Sequence, residues 1–168
     1  MGQEKKETQL VVFRIGDEEF GVEIVQVREI VRLFEITRMP KAPVYIEGVV
    51  NLRGQIIAVI DLAKRLGVSA KPRGQNSRIM IVEMGQNTIG MIVDSVVEVL
   101  RLPQENIDHV PELIETGVPE HYIRGVGKLK DRLLVLLDLN AVLTYEEVKN
   151  LEGHVEGVEN IQNKERGS

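Results

Sequence analysis

Two charged positions recur along this chain in a way that could present chemistry to a partner. Glu29 recurs as Glu98, 69 residues on, and Arg53 recurs as Lys130, 77 residues on. An acid near one strand and a base at a later turn could form a pair, the carboxylate holding the cation in place for an external contact. The bland alternative is solvated charge on sheet rims, which contributes little. Groups that usually do catalysis are sparse. There is no cysteine, so no thiol nucleophile, thiolate metal site or disulfide is possible. Ser69, Ser77, Ser95 and Ser168 are the only serines, and none sits in a G-x-S-x-G elbow. His109, His121 and His154 lack a second histidine at metal-binding spacing. Gly125-Val-Gly127-Lys128 hints at a phosphate loop, but the motif's first glycine falls on Tyr122 and its Ser/Thr on Leu129. Asp17-Glu18-Glu19 falls on an expected hairpin tip, where a solvated turn is simpler than a cation site. Glu29 and Glu98 could do acid–base work only if neighbouring groups split their pKa values, and the sequence supplies none. No enzymatic activity, metal or cofactor is expected.

Composition narrows the classes further. The 168 residues are 43% hydrophobic and 28% charged, a soluble globular balance. Apolar weight lies in Val, Ile and Leu, which favours strands. Met1 to Thr8 is polar and reads as a tail with no signal-like apolar core. The runs Ile56 to Ile60 and Leu133 to Leu137 are far shorter than the ~20 residues of a membrane helix. A net charge of −5 argues against nucleic acid as the main partner. The lack of cysteine suits a reducing, cytoplasmic setting.

The elements that would position these charges are duplicated. Leu10 to Gly16 resembles Ile79 to Gly85, and the same offset of 69 relates Gly21 to Gly90 and Val27 to Val96. Tyr45-Ile-Glu-Gly-Val49 matches Tyr122-Ile-Arg-Gly-Val126 at an offset of 77, as do Asp61-Leu62 and Asp138-Leu139. The change in offset places eight extra residues in a longer loop within Leu102 to Pro119. Each copy predicts a hairpin, a short turn running into a strand, a second hairpin, then an Asp-capped short helix. Those helices are expected over Leu62 to Leu66, stopped by Gly67, and over Leu139 to Leu143. In the first copy Arg53-Gly54 forms the tip of the second hairpin, where glycine can take positive φ. Short strands with such turns fit small closed barrels, which remove exposed edges. The expected organisation is mainly β: a tail over 1–8, one barrel repeat over 9–76, another over 77–150, and a polar tail over 151–168.

The residues now reached carry a family resemblance. Gly48-Val-Val-Asn-Leu-Arg-Gly54 with Asp61-Leu62 resembles the signature of the CheW-like coupling family of bacterial chemotaxis. Glu18 to Val22, Val27-Arg28-Glu29-Ile30, Gly90, Val96 to Leu100 and Tyr122 to Gly127 are similar to its other blocks. The resemblance spans about Leu10 to Leu143. It implies two packed five-stranded SH3-like β-barrels with short helices. It also implies a non-enzymatic adaptor that binds a chemoreceptor's cytoplasmic tip, largely between its barrels, and the regulatory domain of the histidine kinase CheA. A cytoplasmic protein recruited to membrane-associated receptor arrays, without membrane insertion, follows from the same resemblance. Carried over by residue, Arg53 matches the motif arginine and Glu29 its associated acid. Val27, Gly48, Asn51, Gly90, Val96 and Val99 match positions tied to receptor or kinase coupling. Leu113 matches a loop position used for a second kinase contact, where the family more commonly has an aromatic residue. The alternative for Gly48 and Gly90 is backbone geometry alone, for Val96 simple core packing, and for Leu113 a loop anchor packed on its own barrel.

A different class, a small-ligand-binding β-barrel, would bind in a barrel mouth. It would want aromatic platforms, and the chain has three Phe, three Tyr and no Trp.

Overall fold

The structure is a computed structural model, and it describes residues 6–109, 117–151, 153 and 155. The chain runs β1 (Glu7–Ile15), β2 (Glu18–Glu23), β3 (Val27–Arg32), β4 (Ile46–Leu52), β5 (Gln55–Asp61) and α1 (Leu62–Leu66). It continues through β6 (Arg78–Met84), β7 (Asn87–Val93), β8 (Ser95–Pro103), β9 (Ile107–Asp108), β10 (Ile123–Lys128), β11 (Leu133–Leu137) and α2 (Leu139–Val142). Residues 145–151 form a further helix.

Strands with apolar residues at successive positions bury both faces, and here the two faces serve different cores. Leu10 and Val12 of β1 join Leu102, Leu134 and Leu136 inside one barrel. Ile57 and Val59 of β5 join Val50, Ile79, Ile81 and Ile92 inside the other. The alternate residues, among them Val11, Phe13, Ala58, Ile60, Met80, Val82, Val135 and Leu137, form a third and larger core between the barrels. This is why β1, β5, β6 and β11 read as continuous apolar runs rather than alternating ones. The barrel interiors are filled by side chains, as small barrels are.

The sheets do not follow the repeats. One has the strand order β8-β1-β2-β11-β10-β9 and the other β3-β6-β7-β5-β4. The first hairpin of each repeat has therefore crossed into the other's barrel, where β2 pairs parallel to β11 and β7 parallel to β5. The boundaries 9–76 and 77–150 mark the repeats and not the barrels. The physical reason is that duplicated hairpins carry the same two-faced apolar pattern, so either barrel can accept either one. Within each barrel the geometry is equivalent. β9 pairs with β10 at Val126, and Thr37 bridges Val49, the residue 77 positions earlier. Gly21 and Gly90, also repeat mates, sit where the parallel strands approach. A Cβ at Gly90 would lie 2.8 Å from Ile79 Cγ2, and one at Gly21 would lie 3.0 Å from Leu136 Cδ2.

The helix caps follow the sequence reading. Asp61 accepts the Lys64 N–H at 3.3 Å, Asp138 accepts the Asn140 N–H at 3.0 Å, and Gly67 ends α1 with φ 78°. The tail expected from 151 is corrected: Leu151 is buried, and residues 153 and 155 are helical. Val148, Leu151 and Val155 recur on one helical face and pack on the inter-barrel core. Of the turn expected to lead into β3 and β8, the first is a short 3-10 helix at Ile24–Gln26, whereas β8 follows β7 after Asp94 alone.

Candidate functional site

Leu52 pairs with Gln55 across the β4–β5 hairpin, leaving Arg53 and Gly54 as a two-residue tip. Both have positive φ, 51° and 89°. Such a turn matches the right-handed twist of its strands and favours Asn-Gly or Asp-Gly. Arginine in the left-handed region is uncommon, and a local cost of this kind concentrates at functional positions. Asn51 steadies the turn, its Oδ1 accepting the Gly54 N–H at 2.8 Å.

The tip sits over the seam of its barrel. β3 and β4 end the strand order, and Glu29 of β3 reaches across to Arg53, with Oε2 2.5 Å from Nη2. Beside it, Arg28 Nη1 donates to Gln55 Oε1 at 3.4 Å. The Arg53 side chain is 65% exposed and that of Glu29 26%. The hydrogen bond and charge of Arg53 hold the Glu29 carboxyl below its ordinary value, so the pair is charged at neutral pH. One carboxylate thus engages one edge of a planar fork whose body faces solvent.

The other sequence-derived positions divide. Val27 and Val96, repeat mates on different barrels, both pack at the edge of the inter-barrel core. Val99 is 54% exposed on β8. Gly48 and Gly90 serve close packing: a Cβ at Gly48 would fall 2.0 Å from the Thr37 carbonyl oxygen. Leu113 lies outside the described residues. In the second barrel the base facing Glu98 is Arg132, at 3.5 Å, and not Lys130. Lys130 and Asp131 form the tip there, and Arg132 follows where the first barrel has Gln55, whose side chain also faces the acid-bearing strand. Arg132 additionally pairs with Glu19 of β2. Among the described residues no group of three His, Cys, Asp or Glu could hold a metal, and no helix is long and apolar enough to cross a membrane.

Sequence reasoning missed a second polar cluster. Arg65 of α1 donates from Nε to the Val142 carbonyl at 2.7 Å and from Nη2 to Glu147 Oε1 at 2.6 Å. Its guanidinium lies 4.7 Å from the Tyr45 ring and 5.7 Å from the Tyr122 ring. The available signal was Thr144-Tyr-Glu-Glu147, a capping box in which each end residue accepts the other's N–H.

Two interlocked SH3-like barrels with filled interiors and an arginine-bearing tip define a double-barrel module. The CheW-like domain matches residues 9–147, and the chain belongs to that family. It is 36% identical over 140 residues to the chemotaxis protein CheW of Klebsiella aerogenes, covering 83% of this chain and 84% of that one. Against the chemotaxis protein CheW of Bacillus subtilis, identity is 34% over 82% of this chain and 87% of the relative. The crystal structure of the scaffolding protein TtCheW from Thermoanaerobacter tengcongensis aligns with a TM-score of 0.77 at 33% identity. That alignment covers 88% of this chain and 94% of TtCheW.

Proposed function

We propose that this chain is a non-enzymatic chemotaxis adaptor. It couples the cytoplasmic tips of chemoreceptors (methyl-accepting chemotaxis proteins) to the regulatory domain of CheA, in the cytoplasm at membrane-associated arrays. The observation that carries the reading is Arg53: an exposed arginine held at positive φ by its turn and aimed by Glu29. A fork of donors in that setting suits carboxylates or carbonyls on a partner helix. Family membership supports the same reading, as does the placement of Val27 and Val96 at the edge of the inter-barrel core, where a partner helix could lie. Filled barrel interiors do not favour a ligand bound within a barrel, which is the form the small-ligand alternative takes.

The test is reconstitution with a receptor cytoplasmic fragment and the kinase. The chain should pull down both proteins, and kinase autophosphorylation should rise only when all three are present. Failure to bind either partner would overturn the proposal.

A further inference from the structure

In strand order the chain changes barrel twice, at Ile24–Gln26 and at Asp94. At the second crossing the Asp94 carboxylate accepts the Gly16 N–H at 2.7 Å and the Lys71 N–H at 2.8 Å, and Lys71 and Asp17 form an exposed ion pair. Apart from these contacts and the short crossings, the barrels meet mainly through an apolar core. Apolar burial is strong but non-directional, so it holds two surfaces together without fixing the angle between them. Directional polar contacts supply that kind of specificity in the best-attested cases.

Arg65 makes such contacts between elements of different barrels. It follows β5 on α1, whereas Val142 ends α2 after β11 and Glu147 opens the helix beyond. Arg65 and Val142 are repeat mates, 77 positions apart. The duplication therefore places a guanidinium in one copy against the backbone of the equivalent residue in the other. The two flanking rings, Tyr45 and Tyr122, are repeat mates as well, one before each barrel's second hairpin. Glu147 completes the tie by accepting from Arg65 and, through Oε2, from the Tyr45 hydroxyl at 3.1 Å. The Arg65 side chain is only 17% exposed, so its bonds are sheltered from competing water.

We infer that Arg65 is a latch that sets the angle between the barrels, and through it the spacing of Val27 and Val96 where the partner helix would lie. It is a positioning residue and need not touch the partner. Only its consequence for partner binding rests on the adaptor reading; the latch itself does not.

The absence of native cysteine allows a clean test. Glu35→Cys and Glu105→Cys, both exposed and on different barrels, can carry spin labels for distance measurement by pulsed electron paramagnetic resonance. With Arg65 intact the distribution should be narrow. Arg65→Met, which keeps the apolar stem, should broaden it, and Arg65→Lys should restore it only in part because the fork is lost. Receptor-fragment affinity should fall about fivefold in Arg65→Met, the lower end of ordinary coupling between sites. Tyr45→Phe, which removes only the hydroxyl to Glu147, should broaden the distribution less and serves if Arg65→Met fails to fold. An unchanged distribution in these variants overturns the latch. A broadened one with unchanged receptor affinity overturns its role in positioning. If the intact chain binds no receptor fragment, the adaptor reading fails while the distance result still decides the latch.

Discussion

Glu29 and Arg53 stand 24 residues apart in the chain, and their side chains meet at 2.5 Å across the two end strands of one barrel. The acid comes from a strand and the base from a left-handed turn, so the pair ties the tip to the barrel wall. Arg53→Ala should abolish kinase activation in the reconstituted mixture and weaken receptor binding about tenfold or more, the scale of a lost hydrogen bond to a charged group. Its melting temperature should barely change, because exposed ion pairs contribute little to stability. Glu29→Ala should give a milder defect, since it removes the support and leaves the contact. Normal activation by Arg53→Ala would make the arginine a solvated turn residue.

The same tip predicts opposing effects on stability and function. Arg53 occupies φ 51°, a conformation that Asn adopts more readily. Arg53→Asn should therefore raise the melting temperature while losing coupling as fully as Arg53→Ala. Calorimetry and the activation assay, run on the same preparation, would show both. A lower melting temperature would mean that the turn is not strained by arginine.

What could be read in the sequence was local or periodic. The Asp61 and Asp138 caps, the Gly67 stop and the Arg53-Gly54 tip each depend on a few neighbouring residues, and each is found. Recurrence in the duplication and the family resemblance mark Glu29 and Arg53 as a candidate pair but leave open whether they meet directly, and the structure brings them to 2.5 Å. The hairpin exchange was not legible, since repeat offsets say which residues are equivalent and nothing about which strands pair. Arg132 displaced Lys130 because a side chain's reach from a tip depends on where its Cβ points, and the offset does not carry that. The Arg65 tie was hidden for the opposite reason. Its mate in the second copy is Val142, so the duplication contains no matching charge to draw attention to it.

Gly90 separates packing from contact. A methyl group there would press on Ile79 and Val59 inside the barrel, at 2.8 and 3.1 Å. Overpacking of this kind costs about 1–3 kcal/mol. Gly90→Ala should lower the urea midpoint by a corresponding amount, and Gly21→Ala, pressed by Leu136 and Leu134, should do likewise in the other barrel. Any loss of coupling in Gly90→Ala should then recover at lower temperature or in stabilising solutes. Coupling lost at full stability would instead make Gly90 part of a contact surface.

The segment between α1 and β6 offers a pH-dependent tie. Arg73 in that segment donates to Glu47 of β4 at 2.8 Å and to Asp61 at 3.0 Å, while Lys64 lies 3.6 Å from Glu47. The hydrogen bond from Arg73 outweighs burial and holds the Glu47 carboxyl below its ordinary value of 4.5. A carboxyl depressed on folding adds stability above its unfolded pKa and loses it as pH falls through the folded one. Glu47→Gln keeps the shape and removes the charge. It should cost about 1 kcal/mol at neutral pH, the scale of one partly buried hydrogen bond. That difference should hold down to about the ordinary value, narrow below it, and close once Glu47 in the native protein is itself protonated. Thermal melts of the two proteins in matched buffers from neutral to acidic pH give the comparison. High salt should not erase the gap at neutral pH, because a partly buried pair is screened less than an exposed one. A gap that stays constant into acid would show that the carboxylate charge on Glu47 does not hold this segment, and that shape and packing do.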